Sequence, residues 1–89
     1  MPRMTLRIAN EKGLHARASA KFVEIVESYD ADALVSKDGM SVSGDSIMGL
    51  LMLAASRGTS IEVLTSGSQQ QELADALIVL VANRFGEDY

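Results

Sequence analysis

The chain contains a single histidine, His15, set in Gly13-Leu14-His15-Ala16-Arg17-Ala18-Ser19-Ala20. A free imidazole titrates near about 6.5, so much of it is neutral and nucleophilic at pH 7. The pattern around His15 changes from loop to helix. A helix N-terminus presents unpaired amides and a partial positive charge, which suits phosphate. Arg17 adds a guanidinium whose fork matches phosphate oxygens. Together these groups suit covalent relay: a phosphoryl group taken onto a ring nitrogen and passed on. On spacing alone, His15 also reads as a surface or capping residue and Arg17 as a solvated side chain. Ser46 precedes a short apolar stretch and reads as its N-cap. A phosphate on Ser46 would carry about −1.5 to −2 charges at that helix start, where negative charge is favoured.

Composition removes other chemistries. There is no cysteine and only one histidine, so disulfides and thiolate zinc sites are excluded and a metal centre is not expected. Acidic residues outnumber basic ones twelve to eight, for a net charge of −4, and no basic footprint for nucleic acid appears. The N-terminal residues lack an apolar core of signal-peptide length. The longest apolar run, Ala76 to Ala82, is too short for a bilayer and reads as a buried helix. We therefore expect a cytoplasmic monomer with no membrane segment and no cofactor. Its 89 residues, 47% hydrophobic and 22% charged, fit one globular domain over 1–89.

The elements that must hold His15 follow from periodicity. Met4 to Ile8 alternates as a half-buried strand, and Asn10 to Gly13 breaks it as a loop. Phe22, Ile25, Val26 and Tyr29 recur at one helical face. Ala33–Lys37 and Met40–Ser43 flank Asp38-Gly39, a tight hairpin turn. Ile47–Leu53 forms a short helix despite Gly49. Ser60–Thr65 is a last strand with Ile61, Val63 and Thr65 facing one way. Ser68 and Gln71 suggest a capping box for a final helix buried through Leu73, Leu77, Leu80 and Val81, with Arg84 in its last turn and Gly86 ending it. The order β-α-β-β-α-β-α implies a split βαβ arrangement. The fold class expected is α/β (α+β): an open-faced β-sandwich with a mainly antiparallel four-stranded sheet and three helices on one face.

Gly13-Leu14-His15-Ala16-Arg17 resembles the active-site signature of the HPr family, the histidine-containing phosphocarriers of the bacterial phosphotransferase system. Chain length, element order, the Asp38-Gly39 hairpin and Gly44-Asp45-Ser46-Ile47-Met48-Gly49-Leu50 extend the likeness over essentially the whole chain. The resemblance implies that His15 accepts phosphate on Nδ1 from enzyme I, ultimately from phosphoenolpyruvate. It implies that Arg17 steadies the phosphoryl group and that downstream phosphotransferase-system A domains receive it. Ser46 matches the serine that an ATP-dependent HPr kinase/phosphorylase modifies in some lineages. Such a carrier is a substrate of transferases rather than an enzyme.

Part of the run Ile47, Met48, Leu51 and Met52 must be exposed, Met48 with one of Leu51 and Met52. With Ala16 and Ala20 of the helix after His15, Ile47, Met48 and Leu51 would then form a partner-docking surface, with methionine adapting to several partners. Two departures from sugar-type members stand out. Ala18 replaces a common proline, and Glu24 and Glu27 stand where many have lysines. They keep open a regulatory member of the nitrogen-related branch that acts mainly by protein binding. A regulatory protein governed through Ser46, with His15 unused, and an ordinary small α/β interaction module are further alternatives.

Overall fold

The computed structural model describes residues 1–88. In chain order it contains β1 (Arg3–Arg7), α1 (Ala16–Glu27), β2 (Asp32–Lys37), β3 (Met40–Ser43), α2 (Ile47–Met52), β4 (Ser60–Ser66) and α3 (Gln70–Ala82), followed by a short turn at Arg84–Gly86. The strands lie in the order β1-β4-β2-β3, and every neighbouring pair is antiparallel. Since β1 and β2 both run against β4, they are parallel to each other and separated by it, the split crossover expected from the element order.

Alternation along the strands explains the single covered face. Ile61, Val63 and Thr65 of β4 are buried, as are Ala33 and Val35 of β2 and Leu6 of β1. The helices bring Phe22 and Val26, Leu50, and Leu73, Leu77 and Val81 onto that layer. Full burial of each such aliphatic or aromatic side chain stabilises the fold by about 1.5–3 kcal/mol. The hairpin forms where expected: Asp38 and Gly39 have φ of 51° and 83°, and Lys37 pairs with Met40.

Several local expectations are corrected. In α1 the buried face runs through Ala18, Ser19, Phe22, Val23 and Val26, while Ile25 is half-buried and Tyr29 lies beyond the helix end. The face is rotated because Val23, rather than Ile25, turns to the sheet. The capping box at α3 does not form. Gln69 is the N-cap, but its side chain accepts from the Asp30 amide rather than capping the helix, and the Ser68 hydroxyl donates to Asp30, whose carbonyl and carboxylate both lie within reach. Donation to a charged carboxylate turns that hydroxyl toward Asp30 and away from the amides it would have capped. α3 ends at Ala82, so Arg84 lies beyond its last turn and Gly86, at φ 79°, closes the following turn. The Ala76–Ala82 run is helical but not wholly buried, since Ile78 and Val79 are exposed. Among the described residues no helix is long and apolar enough to cross a membrane.

Candidate functional site

Local chain chemistry fixes the loop that carries His15. Gly13 has φ 65°, and a Cβ there would lie 2.4 Å from the Ala55 carbonyl oxygen and 2.9 Å from the Ser56 Cα. Only glycine allows this approach. It lets the Leu14 amide donate to the Ala55 carbonyl at 2.8 Å while the Leu14 side chain is buried. Buried Asn10 closes the loop from within: its Nδ2 donates to the Gly13 carbonyl at 2.8 Å, and its carbonyl accepts from the Gly13 amide at 3.2 Å.

His15 follows as the N-cap of α1, with φ −82° and ψ −175°. Its carbonyl accepts the first helical bond, from the Ser19 amide at 2.8 Å, but its ring does not cap the helix. Among the described residues the amides of Ala16, Arg17 and Ala18 have no partner, and the first turn holds no acidic residue. Ala18 is buried, whereas Ala16 and Arg17 are exposed, so two of these N–H groups remain open to an anion. Arg17 is exposed and, among the described residues, forms no ion pair.

The ring is neither buried in the core nor free. Its side chain keeps 26% of its exposure, and Nε2 lies 2.6 Å from Oε2 of Glu87, a side chain only 9% exposed. The second Glu87 oxygen accepts from Asn10 Nδ2 at 2.9 Å. Asn10 thus spends one nitrogen on the active loop and on the carboxylate together. A flipped amide would present oxygen to two acceptors, so this orientation stands, at the cost of leaving the buried Asn10 Oδ1 without a partner. The Glu87 carboxyl is held below its usual range, first by the Asn10 bond, then by the bond and charge of His15 and the charge of Lys12, with burial opposing. An ionised carboxylate only accepts, so Nε2 carries a proton, and in the neutral ring Nδ1 then presents its lone pair. Among the described residues Nδ1 has no hydrogen-bond partner.

Sequence reasoning missed Asn10 and Glu87. Asn10 reads as one more loop residue, and Glu87 meets His15 across 72 positions, which no local pattern announces. Ser46 stands where the spacing placed it. It is the N-cap of α2, half-buried, and its Oγ accepts from the Gly49 amide at 3.0 Å. Of the docking candidates, Ala16, Ala20, Ile47 and Met48 are exposed, Met48 by 69%. Leu51 is half-buried and Met52, 64% exposed, takes its place, because Leu50 of α2 and Leu53 just after it supply the inward side. α1 and α2 pack together, so the apolar surface of α2 adjoins the helix that His15 begins.

The chain is similar to known proteins over most of its length. Residues 3–83 match the family model described as the PTS HPr component phosphorylation site. The chain is 46% identical to a phosphocarrier protein HPr of Cupriavidus necator over 80 residues, 90% of each chain. It is 37% identical to the phosphocarrier protein NPr of Escherichia coli over 97% of both. A crystal structure of HPr from Thermoanaerobacter tengcongensis superposes with a TM-score of 0.95 over 100% of both chains, at 35% identity.

Proposed function

The chain belongs to the HPr family of phosphotransferase-system phosphocarriers, and from that premise we propose that His15 Nδ1 is its phosphoryl acceptor, charged by enzyme I and discharged to downstream A domains. The observation that carries this reading is the Nε2–Glu87 contact at 2.6 Å, which leaves Nδ1 free on a half-exposed ring at the open end of α1. In the forward step Nδ1 attacks phosphorus, the N–P bond forms, and the bond to the donor's leaving group breaks. The ring becomes cationic, retains its Nε2 proton and is neutralised by Glu87, a role like that of the carboxylate behind a catalytic histidine. The amides of Ala16 and Arg17 and the Arg17 guanidinium receive the phosphoryl oxygens. Transfer onward reverses these bonds, so the protein is a substrate of transferases and no enzyme. The whole of 1–89 acts as one cytoplasmic carrier domain, docking partners through Ala16, Ala20, Ile47, Met48 and Met52.

Incubation with enzyme I and phosphoenolpyruvate should add one acid-labile phosphoryl group, absent in His15→Ala. Unmodified protein with active enzyme I from the same cell would reject the reading. Arg17→Glu should slow transfer by about tenfold or more with the fold intact, because the reversed charge opposes the incoming anion. Unchanged rates would make Arg17 a bystander.

Ser46 supports a second, regulatory layer. Its hydroxyl is half-exposed at the start of α2, beside exposed Ile47 and Met48. A phosphate there would add charge to the docking surface and repel acidic partners. An HPr kinase with ATP should add one phosphate to the wild type and none to Ser46→Ala.

A further inference from the structure

Away from His15, a cavity of about 470 Å³ is lined by Arg7, Ile8, Ala9, Arg57, Gly58 and Arg84. Three of the chain's eight basic residues meet there, from three separate segments. Among the described residues none of the three forms an ion pair, although acidic residues outnumber basic ones twelve to eight. Like charges gathered in one cavity repel unless an anion joins them, and a cavity lined by one sign concentrates counter-ions.

The backbone beneath each arginine is held in place. Arg7 ends β1 opposite Ser60. Arg57 sits in a turn closed by Thr59 donating to the Ser56 carbonyl, and that turn is tied to β1 through Gly58 N to Ile8 O and Ile8 N to Thr59 O, both 2.8 Å. Arg84 and Phe85 both adopt left-handed φ, 56° and 55°, which is costly for side-chain-bearing residues. That turn inserts Phe85 into the core at 1% exposure, and Lys21 Nζ donates to the Phe85 carbonyl at 2.7 Å. Arg84 is thereby presented from a fixed turn rather than from a loose tail.

We propose that Arg7, Arg57 and Arg84 form a binding site for a small multivalent phosphate anion of the diphosphate class, separate from the His15 acceptor. Guanidinium forks match phosphate oxygens in pairs, and three of them suit two linked phosphate groups better than one. The cavity has no aromatic wall on which a nucleobase could stack, so recognition centres on the charged group.

Titration of the ¹⁵N-labelled protein with sodium pyrophosphate, at ionic strength held constant with sodium chloride, tests this. Saturable shifts are expected at the amides of Ile8, Ala9, Gly58 and Arg84. Arg57→Gln and Arg84→Gln should each raise the Kd about tenfold, while Arg3→Gln, on the same strand but outside the cavity, should leave it unchanged. The dispersed spectrum of each variant reports its fold, and Arg57→Gln alone suffices if the strained turn rejects Arg84→Gln. Shifts confined to Ala16, Arg17 and Ala18, shifts that never saturate, or equal weakening by Arg3→Gln would each overturn the site.

Discussion

At the residue scale the central fact is how a carboxylate chooses between two ring nitrogens. Glu87 takes Nε2 and leaves Nδ1 as the lone-pair nitrogen. Glu87→Ala should release that choice, so both tautomers appear in the ¹⁵N ring resonances and phosphorylation by enzyme I slows by about tenfold or more. Glu87→Gln keeps an acceptor for Nε2 but removes the charge that neutralises the phosphorylated ring, so it should preserve the tautomer while still slowing transfer. A glutamine variant as fast as wild type would show that only orientation matters. The candidate acceptor His15 was legible in the sequence because its loop, helix start and arginine are contiguous. Its partner was not, because Asn10 and Glu87 are brought to His15 only by tertiary closure.

At the element scale, glycine decides where backbones meet. Gly13→Ala would force a Cβ against the Ala55 carbonyl in a left-handed conformation. A loss of more than about 1 kcal/mol is expected in denaturant unfolding, with slower phosphorylation because the loop carrying His15 must shift. Gly49 has a related explanation: a Cβ there would stand 3.0 Å from the Val42 Cβ, so the residue that weakened the helix pattern is what lets α2 lie close on β3. Ser46→Ala removes the bond from the Gly49 amide and should cost about 1 kcal/mol of stability, read as a lowered thermal midpoint. The two serine caps show where local reading succeeds and fails. At Ser46 the hydroxyl accepts from the helix it precedes. Ser68 carries a similar pattern but donates to Asp30, 38 residues away, so the local signal loses to a stronger distant partner. Strand alternation was legible for the same reason as Ser46, since one face of β4 needs only its own sequence to declare itself.

On the scale of the whole molecule, Asn10, His15 and Glu87 fasten the segment after α3 to the first loop. The Glu87 carboxyl titrates below its ordinary 4.5 in the folded protein. Its stabilisation is therefore complete above that ordinary value and disappears as pH falls through the lowered folded one. Between about pH 5 and about pH 3 the thermal midpoint of wild type should fall further than that of Glu87→Gln. Parallel curves would show that the contact contributes nothing to the fold. Phe85, buried one turn earlier, fastens the same segment by packing, and Phe85→Ala should cost about 3–5 kcal/mol in denaturant unfolding, enough to threaten a domain this small.

Because Glu87 reaches back to His15, the setting of the imidazole depends on a residue 72 positions further along the chain. A protease that clips after Gly86 would therefore change the setting of the imidazole without touching its own segment. Intact and clipped preparations should load phosphate at different speeds.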